Sequence, residues 1–142
     1  MKENEDAPES TDALTSHDTS PLRSPLVQSF RFAFAGLAYC FRTQRNFRIH
    51  IAIGLLAVLA GVLLGLTWPE WAVIALLIVL VLAAEMVNTM VESLVDLVTT
   101  EYHPLAKVAK DVAAGIVLLT ALGAIVVGLL IFGPKLLALF KV

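Results

Sequence analysis

The sequence predicts an all-α integral membrane protein with three transmembrane helices and an N-terminal amphipathic surface helix. Of the 142 residues, 58% are hydrophobic and 15% are charged, and the mean hydropathy of +0.85 is far from that of a soluble globular domain. Three apolar segments also approach the length of about 20 residues that crosses a hydrocarbon core of about 30 Å. A separate aromatic and basic segment precedes them.

Residues 1–25 are interpreted as a disordered acidic tail. Six acidic residues there are opposed only by Lys2 and Arg23, and Ser, Thr and Pro are abundant, a composition that cannot bury a core. The stretch lacks the basic start and apolar middle of a signal peptide, so we expect the N-terminus to stay in the cytoplasm. The rest of the chain, 26–142, is expected to form the membrane domain.

The surface helix is predicted at residues 26–46. Apolar residues recur there at intervals of three and four, as one stripe of a helix does. The stripe is formed by Leu26, Phe30, Phe34, Leu37 and Phe41. Arg31, Arg42, Arg45 and Arg48 accompany it. Such a helix lies in the membrane interface, with its arginines meeting anionic headgroups.

The three transmembrane helices are predicted at about 49–66, 71–98 and 110–132. Basic residues precede the first helix and lie between the second and third, whereas the "TWPE" link between the first two carries none. The positive-inside rule therefore places the basic segments in the cytoplasm. Lys135 and Lys141 would then lie outside, which is a mild violation of the rule.

The second transmembrane helix carries an unusual polar face. Fourteen apolar residues, Trp71 to Ala84, rise about 21 Å and leave Glu85 about 9 Å short of the cytoplasmic edge of the hydrocarbon core. With Asn88, Glu92 and Asp96 it falls in a sector about 80° wide. Ionisable groups at such a depth are by default a functional-site hypothesis.

This face has three reasonable uses: a proton or ion relay, glue between helices, or an active site where a lipid headgroup meets a soluble substrate. The next segment, 99–115, adds Glu101, His103, Lys107, Lys110 and Asp111. Carboxylates can hold Mg²⁺, lysines can offset phosphate charge, and a buried carboxylate can deprotonate a hydroxyl. The sequence contains no phosphate-binding loop or catalytic loop of the soluble kinases. Its single cysteine, Cys40, excludes an intrachain disulfide and a cysteine zinc site.

At these residues the chain resembles the prokaryotic diacylglycerol kinase family, which includes the undecaprenol kinases, over about residues 26–134. The shared motifs are "RNFRIH", "AEMVNTMVESLVDLV" and "EYHPLAKVAKDVAAG". The resemblance implies a homotrimer in the bacterial inner membrane, with sites shared between neighbouring subunits. It implies phosphorylation of undecaprenol or diacylglycerol by ATP at the cytoplasmic interface, with Mg²⁺ as the cofactor. No nucleic-acid partner is expected. The form of the last motif favours undecaprenol slightly.

Carried over by residue, the resemblance makes Glu85 the general base for the lipid hydroxyl, with Asn88 and Arg48 as further substrate contacts. Glu92 matches the metal-binding glutamate at the nucleotide. The other positions expected at ATP are Glu101, Tyr102, His103, Lys110 and Asp111. Gln44 stands where many relatives carry a second metal-binding glutamate and offers only a neutral oxygen. For His103, a solvated loop histidine is the alternative. A small proton-coupled transporter and a non-catalytic scaffold are the alternative functions.

Overall fold

A computed structural model describes residues 25–139, and every regular element in that range is a helix. The helices are α1, Pro25–Thr43; α2, Arg45–Leu63; α3, Trp68–Val98; and α4, Pro104–Leu139. The predicted acidic tail lies outside the described residues except for Pro25, which begins α1. Contacts divide the chain into two compact units, Met1–Ala33 and Phe34–Val142. The first unit is described only over the N-terminal part of α1.

Helices α2, α3 and α4 are each long and apolar enough to cross a membrane, and α1 precedes them as an amphipathic helix. The predicted fold class is therefore confirmed. In the first unit, Leu26 and Phe30 are exposed, and the Arg31 guanidinium lies 5.8 Å from the ring centre of Phe32. In the second unit, Phe34 and Phe41 are exposed as well. Exposed aromatic side chains near arginines suit a helix at a membrane interface.

Helices α1 and α2 meet at Gln44, which has an extended backbone. Its N–H donates to the carbonyl of Cys40 at 2.8 Å and closes α1. The sequence predicts a surface helix to residue 46 and a first transmembrane helix from residue 49, but α2 already begins at Arg45. The difference arises because hydropathy marks only the apolar part of a helix, whereas arginines at its end remain helical with their charges in water.

Small residues on α2 allow α3 to approach closely. A Cβ atom on Gly61 would lie 2.8 Å from Cη2 of Trp71, and one on Gly54 would lie 3.3 Å from Cγ2 of Ile78. Ile74 on the same stretch of α3 is buried. The turn between the helices uses Gly65 at a φ of 63°, a left-handed conformation that favours glycine. α2 and α3 thus meet over an interface set by backbone proximity.

The start of α3 explains why it begins at Trp68 rather than at the predicted residue 71. Thr67 precedes the helix, and the Glu70 carboxylate accepts hydrogen bonds from the Thr67 N–H at 2.7 Å and from its hydroxyl at 2.8 Å. This is a capping box, which satisfies donors that the first turn leaves free. Pro69 adds a preset backbone angle near the helix start.

Helix α4 starts six residues before its predicted beginning, because Pro104 begins the helix and needs no N–H there. Two ion pairs join α3 to α4, one near each end of the pair. Lys135 Nζ lies 3.1 Å from Glu70 Oε2, and Lys110 Nζ lies 2.6 Å from Asp96 Oδ1. Lys135, which violated the positive-inside pattern, is therefore paired with a carboxylate.

Candidate functional site

The polar face of α3 forms a gradient of burial. Glu85 is only 2% exposed and is packed beside the buried Ala84 and Val81. Asn88 and Glu92, one and two turns further along, are partly exposed, and the Asp96 side chain is 63% exposed. The helix therefore leads from an enclosed carboxylate to one in contact with water, in the order that the sequence predicted.

Among the described residues, Glu85 has one polar neighbour on α2. His50 Nε2 lies 3.2 Å from Glu85 Oε1, with the two side chains 19% and 3% exposed. The atoms are within ion-pair distance, yet the contact lacks the alignment of a hydrogen bond, so Oε1 has no hydrogen-bond partner. The next polar side chain, Thr89, donates instead to the backbone carbonyl of Glu85 at 2.9 Å. Oε1 of Glu85 is thus a buried acceptor without a hydrogen-bond donor.

Asn88 connects the buried part of the face to the exposed part. Its Nδ2 donates to Glu92 Oε1 at 3.1 Å, and a carboxylate can only accept, which fixes the orientation of the amide. The amide oxygen Oδ1 is then buried without a partner. Buried oxygens without a donor are uncommon in folded proteins and call for an explanation. Glu85 and Asn88 therefore present two unfilled acceptors one helical turn apart.

The positions expected at ATP lie at the end of α3, in the following loop and at the start of α4. Lys110 is bound to Asp96, and Lys107 pairs with Asp111 one turn along α4. The loop residues Glu101, Tyr102 and His103 are exposed. The structure therefore places Lys110 beside the exposed end of the polar face, and the loop residues follow that end along the chain.

His103 also has a local structural role. Its Nδ1 accepts the backbone N–H of Leu105 at 3.2 Å, at the first turn of α4. Such a bond satisfies a donor that the helix start leaves free. Since Nδ1 is the acceptor, Nε2 carries the proton in the neutral ring. The alternative of a solvated loop histidine is therefore incomplete, because the ring is exposed but also caps a helix.

Two predicted positions are not joined to the polar face within the described chain. The Gln44 side chain makes no capping hydrogen bond, and Arg48 is exposed on the first turn of α2. Over residues 25–139, no three His, Cys, Asp or Glu side chains cluster as a metal site would. A magnesium ion held by one or two carboxylates and by phosphate oxygens does not require such a cluster.

Sequence reasoning overlooked His50, which contacts Glu85. It also borders a cavity of about 240 Å³ between α2, α3 and α4, where the other lining residues are apolar or glycine. The lining includes Gly54, Ile78, Val81, Ala121 and Phe132. His50 is the only ionisable residue between Ile49 and Leu66. An ionisable residue within an apolar span is a candidate functional residue, and this rule identifies His50 as well as Glu85.

The fold and this face define a helical membrane protein with a buried carboxylate at the inner end of a polar path to water. A sequence profile of prokaryotic diacylglycerol kinase matches residues 31–132. The chain therefore belongs to the prokaryotic diacylglycerol kinase family, a family of membrane lipid kinases, and the predicted family is confirmed. The kinase family implies ATP use. Nothing in the comparisons supports the transporter alternative.

Three relatives illustrate the similarity. The chain is 51% identical over 115 residues to a diacylglycerol kinase of Synechocystis, which covers 80% of this chain and 66% of that protein. It is 45% identical over 109 residues to the undecaprenol kinase of Bacillus subtilis, covering 77% of this chain and 89% of the relative. A diacylglycerol kinase of Helicobacter pylori is 30% identical over 115 residues, or 81% and 87% of the two chains.

Proposed function

We propose that the protein transfers the γ-phosphate of ATP to the hydroxyl of a membrane lipid alcohol, either undecaprenol or diacylglycerol. The observation that carries this proposal is Glu85, a carboxylate that is only 2% exposed at the inner end of a graded polar face. In this proposal the lipid hydroxyl approaches Glu85 from the apolar side, and the nucleotide approaches from the exposed end. Family membership supports the same reaction.

In this reaction Glu85 accepts the proton of the lipid hydroxyl. The hydroxyl oxygen then forms a bond to the γ-phosphorus, and the bond between that phosphorus and the bridging oxygen breaks to release ADP. Asn88 Oδ1, which has no donor in the structure, is suited to accept a hydrogen bond from a group on the substrate. Arg48, on the first turn of α2, is the proposed contact for the lipid headgroup.

The nucleotide would lie beyond Glu92. Lys110, which pairs with Asp96 at the exposed end of the face, is the proposed contact for phosphate oxygens. The other residues of the proposed ATP site are Glu101, Tyr102, His103 and Asp111. Lys110 is held by Asp96 at present, and phosphate would replace that partner with a stronger charge. These roles follow from the family resemblance and from the exposure of the residues.

We propose that Glu92 and Gln44 would hold a magnesium ion, on the chemistry of their oxygen donors. Glu92 offers a partly buried carboxylate oxygen, and Gln44, whose amide is free of capping bonds, offers a neutral one; both are the hard oxygen ligands that Mg²⁺ prefers. When bound, Mg²⁺ would neutralise charge on the transferring phosphates. Gln44 would make this site weaker than a two-glutamate site, because it adds no charge.

The proposed setting is the bacterial inner membrane, with the N-terminus and the nucleotide site on the cytoplasmic side. The basic residues around 42–48 and 107–110 support this orientation. A homotrimer with shared sites is part of the proposal. It would also provide partners for the apolar surface that α2, α3 and α4 leave exposed.

The test measures transfer of labelled phosphate from ATP to each alcohol by the purified protein in mixed micelles with Mg²⁺. Glu85→Gln should lower the rate by about 100-fold or more, as expected for a lost general base. Glu70→Gln, a matched change at the other end of α3, should retain the rate. If neither alcohol is phosphorylated, the proposed function is wrong. If the wild-type protein is active and Glu85→Gln retains its full rate, the base is another residue.

A further inference from the structure

His50 and Glu85 meet because α2 and α3 are packed closely at this depth. Gly54, one turn beyond His50 on α2, gives Ile78 room, since an added Cβ would lie 3.3 Å from its Cγ2. The close packing brings His50 Nε2 to 3.2 Å from Glu85 Oε1. The contact therefore depends on how closely α2 and α3 pack at this depth.

The other nearby side-chain donors have other partners in the structure. Thr89 Oγ1 donates to the backbone carbonyl of Glu85, and Asn88 Nδ2 donates to Glu92. Within the described chain, His50 is consequently the one side chain paired with the Glu85 carboxylate. An ionised carboxylate buried in apolar surroundings is unfavourable without a partner of this kind.

We infer that His50 is a positioning residue for Glu85, donating its Nε2–H to Oε1 so that the second carboxylate oxygen faces the lipid hydroxyl. The inference rests on the proposed role of Glu85 as the base. The loose alignment in the structure fits this role, because catalytic hydrogen bonds often tighten only when the substrate is bound. A base that can rotate away from the hydroxyl loses rate even when its chemistry is intact.

His50 would then act in the reaction as well as line the apolar cavity. If His50 were merely a packing residue, its replacement would act through stability alone. A hydrogen-bond donor of similar reach would then be no better a substitute than leucine. A positioning role predicts that a hydrogen-bond donor at position 50 supports a higher rate than leucine. It also predicts that replacing His50 has no effect on the rate when Glu85 can no longer act as a base.

The experiment is a double-mutant cycle in the full chain, with kcat and KM measured for ATP and for the lipid. His50→Leu should lower kcat by about 10- to 100-fold, the range for lost orientation of a reacting group, with little change in the KM for ATP. His50→Gln, which keeps an N–H at similar reach, should recover most of the rate. In a Glu85→Gln background, His50→Leu should cause no further loss.

Lys135→Met is the matched control, since it breaks an ion pair at the other end of the bundle and should retain kcat. Thermal unfolding of each variant corrects for loss of folded protein. Full activity of His50→Leu, or equal losses in His50→Leu and His50→Gln, would overturn the inference. So would an additive loss in the double variant. Full activity of Glu85→Gln would overturn the base and this inference together, and absence of lipid phosphorylation would overturn the proposed function itself.

Discussion

The contact of Gly61 with Trp71 gives a quantitative test of how α2 packs against α3. In Gly61→Ala the new Cβ would lie 2.8 Å from Cη2 and 3.2 Å from Cζ2 of Trp71. An indole ring cannot yield like the end of a flexible chain, and overpacking of this kind destabilises by about 1–3 kcal/mol. Alanine is better than glycine in a helix by about 1 kcal/mol. The net expectation is a loss of up to about 2 kcal/mol.

The matched control is Gly123→Ala on α4, where an added Cβ meets nothing within 4 Å in this chain. That change should be neutral or stabilising by up to about 1 kcal/mol. The assay is reversible unfolding in mixed micelles with increasing dodecyl sulfate, followed by tryptophan fluorescence and helical circular dichroism. Equal free energies of unfolding for the two variants would refute the close packing of Trp71 on Gly61.

Three further changes test the exposed end of the site. Lys110→Met should weaken ATP binding by about 10- to 100-fold, as expected for a lost charge-assisted hydrogen bond; nucleotide titration checks this, and unchanged affinity would remove Lys110 from the ATP site. Asp96→Asn should alter the free energy of unfolding by less than about 1 kcal/mol, because the ion pair is substantially exposed; a larger loss in a denaturant titration would contradict that weak coupling. Gln44→Glu should lower the Mg²⁺ concentration for half-maximal rate, and an unchanged Mg²⁺ response would exclude Gln44 as a ligand.

Much of the fold follows from the sequence because a membrane imposes simple demands. Apolar length alone identifies α2, α3 and α4, since backbone groups in lipid must be satisfied within helices. The ends are harder to locate. The early start of α3 depends on the Thr67–Glu70 capping box, and that of α4 on Pro104 with its His103 cap. These are local hydrogen bonds that a hydropathy pattern does not contain.

The polar face of α3 was predictable for the same reason, since helical periodicity fixes which side chains share a face. Contacts between helices were not predictable. The pairing of His50 with Glu85 and of Lys110 with Asp96 depends on how α2 and α4 approach α3. Periodicity gives no information on such distances. Neither does it relate Gln44 to Glu92, so both metal ligands are still predictions.

The products of the reaction test the proposed lipid kinase activity directly. The purified protein, ATP, Mg²⁺ and one lipid alcohol in mixed micelles should yield a lipid monophosphate and ADP in equal amounts, detected by phosphorus NMR and mass spectrometry. Undecaprenol and diacylglycerol are assayed separately, with Glu85→Gln alongside. The predicted result is that lipid monophosphate and ADP form in equal amounts, and that neither forms with Glu85→Gln. Release of ADP and free phosphate without any lipid phosphate would contradict the proposed lipid kinase activity.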